Sequence, residues 1–206
     1  MSITNYTQLK TSIADFLNRD DLTSVIPTFV SLAEADINRR VRHWRMQVRS
    51  TAEIDGQYSA FPADWMETIR FQITDQTPSE LELLAQAEIV DRREDTANIA
   101  GRPRFYAITG SQFEFFPTPD GTYNAELVYF GRIPALTDVA PTNWLLTYHP
   151  DVYLYGSLVH SAPYLSDDAR AQVWAALYQS GVDSANLASD AARHSGSGLR
   201  MKVRSY

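Results

Sequence analysis

The sequence predicts an α+β fold, mainly α: a four-helix bundle of two N-terminal and two C-terminal helices, an inserted antiparallel β-rich subdomain, and an extended C-terminal tail. Three observations predict it. Val152–Ser166 is a run without formal charge (His160 taken as neutral), apolar on most sides at about 100° per residue, the pattern of a helix buried among others. Apolar residues recur every three to four positions before Trp44 and again after Ser166. Between Arg49 and Phe130 the period drops to two, and Gly, Pro and Asp turn signals break the runs. The expected boundaries are 1–46 with 144–193 for the discontinuous bundle, 47–143 for the β-rich subdomain with one short helix, and 194–206 for a flexible tail.

The first helix is expected from about Asn5 to Asn18, with Thr4 as N-cap and a stripe of Tyr6, Leu9, Ile13, Phe16 and Leu17. The second starts near Ser24. Pro27 is tolerable in its first turn, where the missing N–H has no intrahelical partner. Phe29, Ala33, Ile37, Val41 and Trp44 form its apolar face, and Arg39, Arg40, Arg42 and Arg45 occupy its last turns, the order a helix dipole favours. Arg40 lies close to the apolar face, which calls for snorkelling or a carboxylate partner.

Asp55-Gly56 predicts a hairpin between Arg49–Ile54 and Gln57–Phe61. Glu67–Thr74 reads as a strand, Pro78–Val90 as a short helix burying Leu81, Leu84, Ala85 and Ile89, and Asp91–Gly101 as polar loop. Arg104–Ile108 and Gln112–Phe116 pair around Thr109-Gly110-Ser111, and Tyr123–Phe130 follows as an alternating strand. Five or six antiparallel strands result. Ala135–Asn143 reads as a connector back to the helices. Pro150 suits the first position of this central helix, whose uncharged run is too short for a bilayer's roughly 20 residues and is interrupted by Pro163. The last helix is expected to be capped at Ser166-Asp167-Asp168 and to run to about Arg193. Its inner stripe would be Ala169, Val173, Leu177, Ser180, Ser184, Leu187, Ala188 and Ala191.

The 206 residues suffice for one sizeable domain, or one with an insertion. The absence of cysteine excludes a disulfide scaffold, a zinc–thiolate site and a thiol nucleophile. The N-terminus lacks a signal-peptide pattern, which predicts maturation in a cytoplasm. The net charge of −7 is uneven. Residues 1–192 hold 14 basic and 25 acidic side chains, whereas four basic and no acidic side chains follow from Arg193. An acidic body with a basic tail predicts that the tail has its own partner. In that tail Leu199, Met201 and Val203 alternate with Arg200, Lys202 and Arg204 directly after Ser195-Gly196-Ser197-Gly198. Such a strand cannot hold itself, but it can add to another protein's sheet edge. Disorder in the free protein is compatible with order in a complex.

No catalytic, metal or cofactor site emerges. His43, His149, His160 and His194 lack zinc-site spacing, His149 reads as a helix-start residue and His160 as a hydrogen-bonded core histidine. Ser157 lacks the surroundings of a nucleophile elbow. Arginines 39, 40, 42, 45 and 49 could touch phosphates. With an acidic body and no groove-reading motif, helix-dipole complement and subunit salt bridges fit them better. The aromatic-rich strands lack interleaved Lys and Arg, so they read as core or as a surface for a neighbour.

Gly101-Arg102-Pro103-Arg104-Phe105-Tyr106-Ala107-Ile108, Phe116-Pro117-Thr118-Pro119-Asp120-Gly121, Asn143-Trp144-Leu145-Leu146, His149–Gly156 and Ala162-Pro163-Tyr164-Leu165 form an ordered set. With Phe61-Pro62-Ala63-Asp64-Trp65 and the Pro27–Arg42 helix, it resembles the head–tail adaptor (connector) proteins of tailed bacteriophages over nearly the whole chain. The resemblance implies a non-enzymatic virion protein of the head–tail neck, assembled in the host cytoplasm. It implies a homo-oligomeric ring, usually of twelve subunits, docked beneath the portal protein and facing tail or neck proteins, with no membrane. DNA would pass through the channel without sequence-specific binding. On that reading Leu199, Arg200, Met201, Lys202, Val203 and Arg204 bind the portal, and Arg39, Arg40, Arg42 and Arg45 are subunit-interface candidates. Two other readings stay open: another neck- or tail-completion protein of a phage virion, and a cytoplasmic hydrolase working through loop Asp and His residues.

Overall fold

The structure, a computed structural model, describes residues 3–75, 77–96, 99–165 and 170–194. Among them are six α-helices and eight strands in two four-stranded sheets, which overturns the expected four-helix bundle with a modest inserted sheet. The chain divides into two compact units: the described residues up to Arg45 together with those from Ile133 onward, and Met46–Arg132.

In the first unit the helices are α1 (Tyr6–Leu17), α2 (Ile26–Arg40), α4 (Trp144–Tyr148), α5 (Pro150–Leu165) and α6 (Ala171–His194). Helix α5, without a charged side chain after Asp151 in its first turn, is the hub, touching α1, α2, α4 and α6. Val152, Tyr153, Leu154, Gly156, Ser157, Leu158 and Ser161 are buried, and the Ser157 hydroxyl satisfies itself by donating to the Tyr153 carbonyl at 2.8 Å. His160 is half-buried, and no hydrogen bond holds it among the described residues, contrary to expectation. Asn5, not Thr4, caps α1, its side chain accepting the Gln8 N–H at 2.9 Å, while Thr4 donates to the Gln8 side chain.

Helix α2 stops at Arg40, because Val41 turns to extended backbone (φ −86°, ψ 130°). Arg42 and Arg45 therefore lie beyond the helix, and Trp44–Met46 makes a single 3-10 turn. Helix α4 is an extra turn that sequence periodicity could not reveal, being five residues long. Asn143 creates it by accepting the Leu146 N–H at 2.9 Å while donating to the Tyr153 hydroxyl and the Pro134 carbonyl. The connector is tied to α2 by Ile133 N–H to Asn38 and Leu136 N–H to Glu34. The α6 expectation is rotated: its buried face is Trp174, Tyr178, Gly181, Val182, Ala185 and Ser189. Two aromatics bury more area than the small-residue stripe, and Gly181 leaves room for Asp151 and Val152 of α5. The expected Ser166-Asp167-Asp168 cap and Ala169 of the expected stripe lie outside the described residues.

The second unit holds β1 (Gln47–Ile54), β2 (Tyr58–Ala60), β3 (Trp65–Ile73), β4 (Ser79–Glu80), β5 (Glu82–Leu83), α3 (Gln86–Asp95), β6 (Phe105–Thr109), β7 (Gln112–Phe116) and β8 (Tyr123–Gly131). The sheet orders are β1-β8-β3-β4 and β2-β7-β6-β5. The Asp55-Gly56 hairpin does not form: β1 pairs with β8 along its whole length and β2 pairs with β7, so the turn carries the chain from one sheet to the other. In place of the expected Pro78–Val90 helix are two short strands followed by α3, which extends to Asp95, into the expected Asp91–Gly101 loop. The β5–β6 pairing is parallel. The β6–β7 hairpin forms as expected, turning at Gly110, whose φ of +59° suits glycine. Between the sheets lies an aromatic core in which Phe71 meets Tyr106, Phe113 and Phe115 edge-to-face at 5.1–5.6 Å.

Candidate interaction surfaces

The arginine end of α2 is organised by one buried carboxylate. Asp36 accepts from Arg39 at 3.0 Å, from the Arg40 Nε at 2.8 Å, and from the Tyr178 hydroxyl at 2.9 Å. Burial alone would raise its pKa, but the bonds from Tyr178, Arg39 and Arg40 outweigh burial and hold it below the ordinary value. Burial, reinforced by Asp36, pushes the Tyr178 phenol far up. Arg40 thus meets the carboxylate that its position required. Arg42 folds back to donate to the Asn38 and Val41 carbonyls.

Beyond the helix end, His43 is buried and stacked on Trp144, with ring centroids 4.7 Å apart. Its Nδ1 accepts the Arg45 backbone N–H at 3.1 Å, and His149, the C-cap of α4, lies at 6.1 Å. Burial, then His149 and Arg45, lower the His43 pKa. This corner displays an exposed trio. The Arg45 guanidinium lies 4.7 Å from the Trp44 ring centroid and 4.2 Å from that of Tyr148. Its guanidinium has no hydrogen bond or ion pair among the described residues. The spacing in the sequence singled out Arg45 but not Tyr148, which becomes its neighbour only through α4.

The residues expected inside α6 are outside. Val173 and Leu187 are 59% and 71% exposed, and Leu177, Ser180, Ser184, Ala188 and Ala191 share their face. The tail candidates Leu199, Arg200, Met201, Lys202, Val203 and Arg204 lie outside the described residues.

In the second unit two carboxylates on strands are committed to the fold. Buried Glu114 accepts from Arg93 of α3 at 2.6 Å and from Gln57 and Thr109. Glu126 lies diagonal to Arg49 and Arg70 on its neighbouring strands and binds both, plus Gln72. Arg49 therefore belongs to a cross-strand ion pair. The corner Phe61–Trp65 turns on Asp64, which accepts the Tyr129 hydroxyl at 2.8 Å. Burial and that bond push the tyrosine up to about 12. These motifs are packing devices. Among the described residues no three His, Asp or Glu side chains cluster as metal ligands would, and no helix is long and apolar enough to cross a membrane.

No curated protein matches the chain. The family model described as SU10 adaptor protein matches residues 4–202, almost from end to end. The chain belongs to the SU10 adaptor protein family, a family of phage head–tail adaptors.

Proposed function

We propose that the chain assembles into a closed ring of about twelve subunits beneath the portal, continuing the DNA channel and presenting its other face to tail or neck proteins. The family match across residues 4–202 is the observation that carries this reading. The charge distribution supports it. A body with 14 basic and 25 acidic side chains over residues 1–192 repels DNA, so a strand can slide past without sticking. The arginine end of α2, with Arg39 and Arg40, and the segment after it, with Arg42 and Arg45, serve subunit contact. The tail strand, with Leu199, Met201 and Val203 on one side and Arg200, Lys202 and Arg204 on the other, pins the ring to the portal by strand addition. Assembly takes place in the host cytoplasm, and the ring's place is the head–tail neck.

The test is a chain ended at Gly198, mixed with purified portal rings and compared with the full chain by native mass measurement. The truncated chain is expected to keep its circular-dichroism spectrum and lose portal binding. Undiminished binding would contradict the role of the tail.

A further inference from the structure

Two patches of the helical unit have opposite character. One is bulky and cationic: Trp44, Arg45 and Tyr148, the residue types that dominate binding hot spots. Stacking on two rings fixes the plane of the Arg45 guanidinium, and among the described residues no carboxylate satisfies its N–H groups. The other is the outer face of α6, where Val173, Leu177 and Leu187 stand exposed among small side chains. At 100° per residue Asp183 and Asp190 fall together on one flank of that face, about 10 Å apart along the axis. Among the described residues Asp183 accepts only from Gln179 of its own helix, and Asp190 has no bond.

The patches also face apart. The Arg42 and Trp44 backbone N–H groups donate to Asn186 and Ser189 at 2.9 Å, which places that segment on the side of α6 opposite its exposed stripe. Complementary patches on opposite sides of one protomer make a head-to-tail contact that propagates around a ring, whereas a two-fold dimer uses one patch twice. We infer that the Trp44–Arg45–Tyr148 trio of one copy seats on the outer α6 face of the next, with Arg45 meeting Asp190. This rests on the ring reading and names the surfaces that close it.

Charge reversal in the full chain tests it, with ring formation on portal read by native mass and imaging, and folding checked by circular dichroism. Arg45→Glu and Asp190→Arg should each lower ring occupancy at least about tenfold at matched concentration. The double variant should recover to within about twofold of the unaltered chain. Single variants that assemble normally, or a double variant no better than either single, would overturn the contact while the ring itself stands. An unaltered chain that forms no ring would remove both.

Discussion

Asp36 shows how a single residue sets the character of a surface. Sitting one turn before Arg39 and Arg40, it holds both guanidiniums and the Tyr178 hydroxyl, linking α2 to α6. Tyr178→Phe removes a donor from a buried carboxylate and should cost about 2 kcal/mol in urea unfolding. The pH response follows from the same groups. Asp36, Glu114 and Glu126 all have lowered pKa values, Glu126 chiefly through its bond from Arg49. Their contribution is complete above about pH 4.5 and is lost as pH falls through their lower folded values. His43 and His160 are lowered by burial, so the unfolded chain takes up protons first as pH drops through about 6.5. Stability should therefore fall in two stages, first as pH drops below about 6.5 and again as it drops below about 4.5, and His43→Gln should shrink the first. Glu34 is shifted the other way, raised by burial, so Glu34→Gln should leave neutral-pH stability equal or higher. A urea midpoint that is flat between pH 7 and 5 would refute the histidine assignment.

Among the elements, α5 and α3 depend on particular contacts. A Cβ on Gly156 would lie 3.0 Å from the Tyr178 ring and 3.4 Å from Ala33, so α2 and α6 both close on α5 at that glycine. Gly156→Val should cost about 2–3 kcal/mol by overpacking, exceeding the roughly 0.5 kcal/mol gained from helix propensity. Helix α3 rests on the second sheet through buried Ile89 and through Arg93 on Glu114, with side chains 17% and 3% exposed. Arg93→Met leaves a buried carboxylate with only the neutral donors Gln57 and Thr109 and no cation, and should lower stability by about 3 kcal/mol. What could be read from the sequence divides along the same line. The burial of α5 was legible because fifteen uncharged residues leave no other place for Val152–Ser166. The β6–β7 hairpin was legible because its turn is local. The partners of β1 and β2 were not, since Ile54 meets Tyr123 and Ser59 meets Phe113, pairings set by the aromatic core between the sheets. The α6 stripe was misread because both faces of that helix carry apolar residues, and spacing cannot say which one packs. Arg45 was named from the sequence, but the rings that fix it come from Trp44 and a helix of five residues.

For the whole molecule, the buried charges are paired within each unit, while apolar and cationic side chains remain exposed. The aspect carried by the family is a structural adaptor, and the finer proposal is its place in a ring between portal and tail. The acidic body predicts weak binding to duplex DNA. Retention on a DNA column should be slight at about 0.15 M salt, and strong retention with a steep salt dependence would refute a sliding conduit. The most direct measurement is an electron cryo-microscopy reconstruction of the neck of particles that encode this chain, at a resolution that traces helices. The expected result is a ring of copies beneath the portal, in which the buried α5 rod is recognisable inside every subunit. Density for the chain elsewhere in the particle, or a neck without it, would contradict the proposal.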